Sequence, residues 1–201
     1  MEQPKQTFIE TARRTQIIEC AIDALSELGY LKTSLAQIAT RANISTSVIS
    51  YYFAGKDDLM REVIGEVYRN AALFMEAHID LTAPARVLLQ TYIESNLAYG
   101  RNHLKQVKAL AEIVIHWRSE PGKLPAEATP DESILKPLEE LLRWGQETGE
   151  FRTFNPRPMA VTIRKAIDSA LEQWITYPDM NMDTYTQELI TLFDLATRKG
   201  V

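Results

Sequence analysis

The chain holds a single cysteine, Cys20, which excludes an intrachain disulfide, and its place in the amphipathic pattern near the N-terminus predicts a buried, inert thiol. No apolar run approaches a membrane span, and the opening MEQPKQTFIE lacks the basic and apolar blocks of a signal peptide, so no membrane contact and a cytoplasmic location are expected. There is no glycine-rich phosphate loop. The histidines His78, His103 and His116 are scattered, and Glu112 with His116 makes only one pair at i, i+4. That is too little for a nucleophile and base or a metal cluster, so no catalysis, metal or cofactor is expected. Between Leu28 and Lys56 there is no Asp or Glu at all, while Lys32, Arg41 and Lys56 are present, on a chain of net charge −5. One locally basic stretch on an acidic protein suits a polyanion at that stretch alone, with weak nonspecific affinity.

That stretch, TSLAQIATRANISTSVISYYFAGK at residues 33–56, carries the most information. Leu35, Ile38, Ala39 and Ala42 recur at i, i+3, i+4 and i+7, and Ser34 and Gln37 have the spacing of a capping box, which predicts a helix from Ser34 to near Ala42. Asn43 can take the left-handed conformation at modest cost, and Ser45 can cap a following helix. Val48, Ile49, Tyr52 and Phe53 would pack that helix on the first. Thr46, Ser47, Ser50 and Tyr51 would then point outward as donors, the pattern of a helix-turn-helix DNA reader.

From about Arg13 to Tyr68 the chain resembles the TetR family of one-component repressors. The resemblance rests on Ile18 to Leu28, Gly29-Tyr30, Thr33-Ser34, Ile38-Ala39, Ile44-Ser45, Tyr51-Tyr52-Phe53 and Lys56-Asp57-Asp58-Leu59. Asn43 stands where members usually carry Gly, and Ser50 stands where the reading helix usually carries its first aromatic, which shifts the bases that can be read. The reader helix STSVISYYF followed by GKDDL looks most like that of choline-responsive members, a likeness confined to the DNA-binding segment. The DNA-contacting set implied is Thr33, Ser34, Arg41, Ser45, Thr46, Ser47, Ser50, Tyr51, Tyr52 and Lys56.

With 201 residues and 45% hydrophobic content, the chain can form a small domain and a larger one. The expected architecture is all-α, about nine helices. Residues 7–55 form the helix-turn-helix domain, a fourth helix over 56–78 links onward, and 79–201 form a ligand-binding and dimerisation domain. In the first helix Ile18, Ala21, Ile22, Leu25 and Leu28 make one stripe, closed by Gly29. The fourth helix turns Leu59, Val63, Ile64 and Val67 inward. Helical patterns follow at 85–101 and 104–118; after a loop at Ser119 to Pro130 they resume at 131–148, 158–177 and 183–198.

The resemblance implies that the last two helices pair with those of a second copy through Ile163, Ile167, Leu171, Trp174, Leu189, Leu192 and Phe193, and half-site recognition requires the same two-fold symmetry. It also implies a small-molecule effector among the central helices. Tyr92, Asn96, Tyr99 and His103, spaced by four, three and four, could line such a site, with His116, Trp117 and Trp144 as further candidates. Arg164, Asp168 and Glu172 form an i, i+4 ladder that either sets helix register or lies on a solvated face.

The partners expected are double-stranded DNA bearing a palindromic operator, a small-molecule effector and a second copy of the chain. Two heads about one turn, roughly 34 Å, apart fit successive major grooves. A ligand favouring another spacing by about 3 kcal/mol would lower affinity a hundredfold, giving repression relieved by ligand, with activation the alternative output because nothing in the chain reports where the operator lies relative to a promoter. The rival reading is a helical interaction protein that never meets nucleic acid.

Overall fold

The computed structural model describes residues 8–118 and 132–200. Thr7, the loop at Ser119 to Pro130 and residue 131 of the seventh helical pattern lie outside the described residues. Within them are nine helices: α1 (Phe8–Leu28), α2 (Leu35–Arg41), α3 (Thr46–Tyr52), α4 (Lys56–Glu76), α5 (Ala85–Asn102), α6 (Leu104–His116), α7 (Glu132–Glu147), α8 (Pro156–Thr176) and α9 (Met182–Thr197). The only extended pairing among the described residues is an isolated antiparallel bridge between Phe151 and Arg198.

The helices divide into two compact units, and neither is one continuous segment. The first takes described residues 8–69 and 105–118, the second 70–104 and 132–200. This differs from the expected single crossing at the fourth helix, because α6 packs with the head. Ala109, Ile113 and Trp117 are at most 1% exposed and share a core with Ile17, Ala21 and Leu25 of α1, Ile38 of α2, Ile49 of α3, the adjoining Phe53, and Leu59 and Val63 of α4. At about 2 kcal/mol for each fully buried large aliphatic side chain, this continuous apolar interior is what fixes α2 and α3, seven residues each and too short to be stable alone. The stripe on α1 runs through Ile17 and Ala24 as well as the expected residues, whereas Leu28, at the last turn, is 39% exposed.

In the second unit α5, α7, α8 and α9 enclose Ile93, Leu97, Leu138, Leu142, Ile163, Ile167 and Phe193. Gly145 of α7 is required by close approach, because a Cβ there would lie 2.2 Å from the Phe151 ring. Helix α8 starts two residues before the expected 158: Asn155 accepts the Arg157 N–H at 3.2 Å as N-cap, and Pro156 sits at the first helical position, where its missing N–H costs nothing. Asn181 caps α9 in the same way, accepting the Thr184 N–H at 3.0 Å.

Candidate nucleic-acid interface

The local geometry of α2 and α3 follows from a few side chains. Ser34 is extended, and its hydroxyl accepts the Gln37 N–H at 3.3 Å while Gln37 Oε1 accepts the Ser34 N–H at 2.8 Å, completing the capping box. Asn43 turns the chain at φ 53, and the Ile44 N–H closes the turn onto the Ala39 carbonyl at 3.0 Å. Ser45 departs from expectation: its hydroxyl pairs with Ser47 Oγ at 2.7 Å, so no side chain caps α3.

Ile49 and Phe53 are buried and hold α3 down. The opposite face carries Thr46, Ser47, Ser50 and Tyr51, all exposed, with Tyr51 73% exposed. The Ser50 hydroxyl donates to the Thr46 carbonyl at 3.2 Å, and the Tyr51 ring meets the half-buried Tyr52 edge-on at 5.0 Å. One aromatic and three hydroxyls on a convex, anchored helix are suited to reading base edges and phosphates in a major groove.

Around this face the charges are less free than the sequence suggests. Arg41 is forked onto Glu27 at 3.2 and 2.5 Å, and that hydrogen bond holds the carboxyl below the usual glutamate range and raises the arginine. Lys56 donates to the Tyr30 carbonyl at 2.9 Å and lies 3.9 Å from the centre of that tyrosine's ring; burial draws its pKa below the usual lysine value, against the nearby Asp57. Lys32 is exposed. Thr33 is 2% exposed, and its hydroxyl donates to the Gly29 carbonyl at 2.8 Å. That side chain satisfies the end of α1 and presents nothing to a groove, which corrects its place in the expected contact set.

The residues expected to line an effector site are divided between the two units. His116 and Trp117 belong to the first unit, Trp117 as a member of its core and His116 stacked on Tyr30. The correction has a topological cause: α6 returns to the head. In the second unit Tyr92, Asn96 and Tyr99 are buried on α5, His103 ends that helix half-buried, and Trp144 on α7 is 37% exposed. Tyr99 and His103 group with Phe74 at ring separations of 5.7 and 6.1 Å, and His78 stacks on Phe74 at 4.5 Å.

Arg164, which the sequence left as part of a ladder, reaches across to α5. Its guanidinium donates to Asn96 Oδ1 at 2.7 Å and to Asp168, and Asn96 donates onward to the Tyr92 carbonyl at 2.8 Å. Burial would lower the Arg164 pKa, but the Asp168 charge and the neighbouring Tyr92 more than offset it, so the guanidinium stays protonated. It lies beside the Tyr92 hydroxyl without reaching hydrogen-bond geometry, and that buried hydroxyl has no partner.

Of the expected dimer residues, Ile163, Ile167, Leu171, Leu189 and Phe193 are buried inside the second unit itself. Only Leu192, at 55% exposure, and the half-buried Trp174 reach its surface. The apolar residues that α8 and α9 do expose are Val161, Leu192 and Leu195. A helical stripe marks the face buried in the fold, and the second face is a separate feature.

The first unit has the helix-turn-helix architecture found in DNA readers, and the second unit is all-α. Residues 17–63 match the family of bacterial regulatory proteins named tetR, and the solved structures below share the fold. Over 58 residues, 29% of this chain, it is 41% identical to the HTH-type transcriptional regulators BetI of Burkholderia thailandensis and Burkholderia cenocepacia. The chain covers 30% of the length of these curated relatives. A TetR-family candidate from Rhodococcus sp. superposes with TM-score 0.82 at 17% identity, over 92% of this chain and 98% of that one. A Saccharomonospora viridis regulator solved with choline gives 0.77 at 21% identity over 94% and 100%. FadR of Bacillus subtilis, solved with stearoyl-CoA, gives 0.77 at 20% identity over 89% and 96%. Among the described residues no helix is long and apolar enough to cross a membrane, and no group of three His, Cys, Asp or Glu residues is placed to hold a metal.

Proposed function

We propose that this chain is a transcriptional repressor that binds an inverted-repeat operator as a homodimer and is released by a small molecule held in its second unit. The observation that carries the reading is α3: a helix fixed by Ile49 and Phe53 that leaves Thr46, Ser47, Ser50 and Tyr51 exposed on one face. Specific contacts come from that face. Phosphate contacts come from its rim, where Lys56 keeps two N–H donors beyond the one given to Tyr30, and Ser34, Ser45, Tyr52 and Lys32 stand nearby in sequence. Two heads are needed because so small a basic patch binds weakly. The second copy is taken up by the outer faces of α8 and α9, where Val161, Leu192 and Leu195 are exposed.

The effector is argued from the second unit's own residues, since the likeness to the BetI regulators covers only 29% of the chain, at its N-terminal end. Tyr92, Asn96 and Arg164 offer donors in a largely apolar interior, and the Tyr92 hydroxyl lacks an acceptor. An unsatisfied buried hydroxyl costs about 1–3 kcal/mol, which a ligand oxygen would recover. A small molecule bringing a carbonyl, carboxylate or phosphate oxygen to this cluster fits that need. The choline and stearoyl-CoA complexes of the two neighbours show that proteins of this fold take unlike ligands.

The test is selection of bound fragments from fragmented source DNA by the purified protein at physiological salt. Enrichment of an inverted repeat is expected. Thr46→Ala should then relax preference at particular bases, and Lys56→Ala should weaken binding to all DNA and reduce the salt slope by about 1. A folded, dimeric protein that enriches nothing, with or without prior stripping of bound small molecules, would leave the interaction-protein reading standing instead.

A further inference from the structure

Tyr30 is gripped from two sides. On α6, Glu112 Oε2 accepts the Tyr30 backbone N–H at 2.8 Å, across 82 residues of chain. Gly29 leaves room for this approach, since a Cβ there would stand 3.0 Å from the same oxygen. On the other side of the residue, the Tyr30 carbonyl accepts Lys56 Nζ at 2.9 Å, and the Tyr30 ring lies 3.9 Å from that ammonium. His116, one turn beyond Glu112, stacks on the ring at 6.5 Å with planes 6° apart and places Nδ1 3.3 Å from the Glu112 carboxylate. Two turns earlier on α6, Lys105 pairs with Asp23 at 2.6 Å, again 82 residues apart, so α6 runs beside the end of α1 in fixed register.

We infer that Glu112 is a positioning residue for Lys56, the lysine placed at the rim of the DNA-reading face. Glu112 never touches DNA. It fixes the backbone at Tyr30, whose carbonyl and ring hold one N–H and the orientation of the lysine, leaving the remaining two N–H groups to a phosphate. The inference rests on the DNA-binding reading for its consequence, but the positional link exists in the protein alone.

Two measurements separate these. In the free protein, the rate at which an N-hydroxysuccinimide ester acylates Lys56, read by mass spectrometry against exposed Lys32, should rise in Glu112→Ala and in Glu112→Asp, whose carboxylate is one methylene short. It should stay near the wild-type value in Glu112→Gln, which keeps an acceptor for the Tyr30 N–H; the Asp variant decides the matter if the Ala variant does not fold. In DNA binding, Glu112→Ala should reduce the salt slope by about 1, as Lys56→Ala does, and the double variant should lose no more than Lys56→Ala alone. An unchanged Lys56 acylation ratio in both shortened variants, or fully additive losses in the double variant, would overturn the inference. A wild-type protein that binds no operator would overturn the functional reading instead, with the acylation ratios still deciding the positioning.

Discussion

In the first unit the cations meet carboxylates at the rim: Arg41 with Glu27, Arg14 with Glu62 and Lys105 with Asp23 are all partly open to water, and the interior is hydrocarbon and aromatic. In the second, Arg164 retains only 15% of its side-chain exposure and joins Asp168, Asn96 and the Tyr92 carbonyl between α5 and α8. Among the described residues the head has an apolar core in which the Trp117 indole N–H is unpaired, while the buried Thr33 hydroxyl is satisfied by the Gly29 carbonyl. The second unit tolerates a polar interior that is only partly satisfied. Under the proposed function the difference has a use: a reader of DNA must hold its shape, whereas a ligand-responsive unit needs groups whose satisfaction depends on what is bound.

That contrast can be broken most forcefully at Arg164. Arg164→Ala leaves Asp168 without its guanidinium and Asn96 without its donor, and should cost about 3 kcal/mol in denaturant unfolding of the whole chain, the low end for breaking a buried pair because some water reaches it. A loss no larger than that of a surface variant would place the pair with the rim pairs of the head. Tyr92→Phe sharpens the same point with the opposite sign: removing a hydroxyl that has no partner should leave the free protein as stable as wild type or more so, by up to about 1 kcal/mol. A clear loss of stability would mean the hydroxyl is already bonded.

Glu150 gives a smaller effect, read through pH. Its carboxylate accepts the Ala85 and Arg86 N–H groups at 3.0 and 3.2 Å and so caps α5. Burial alone would raise its pKa, but these bonds and the Thr148 hydroxyl lower it below the usual glutamate range. A depressed folded value means that the stabilisation is complete above the unfolded pKa, about 4.3, and fades as pH falls through the lower folded value. Glu150→Gln should cost at most about 1 kcal/mol at pH 7 and flatten the acid limb of stability against pH. An unchanged acid limb would remove Glu150 from the account. Smallest of all, Arg41→Ala should leave stability unaltered within measurement error, since an exposed pair with Glu27 adds little, and calorimetry on both variants in one buffer gives the ordering.

The head was legible because its instructions are local. Ser34 and Gln37 carry their capping box at a spacing of three, Asn43 can turn left-handed, and the reader face of α3 is simply the side opposite Ile49 and Phe53. Long-range packing was not legible. Nothing near Trp117 in sequence says that α6 folds back onto the head, so its pattern looks no different from that of the helices carrying Tyr92 and Asn96. The stripe Ile163, Ile167, Leu171 announced one buried face without saying what buries it, and the answer is the protomer's own α5 and α7. Arg164 and Asp168 were visible as an i, i+4 pair, but only Asn96, 68 residues away, shows that the pair faces inward.

The path of the chain, which enters the first unit, leaves after residue 69 and returns at 105, bears on how such proteins can be recombined. A chimera that grafts only the N-terminal 69 residues onto a foreign effector module would inherit a reader stripped of Ala109, Ile113 and Trp117, with Tyr30 deprived of Glu112. The unit of exchange is discontinuous: a working transplant must carry the strip at 105–118 along with the amino-terminal piece, or supply a host helix whose side chains mimic it.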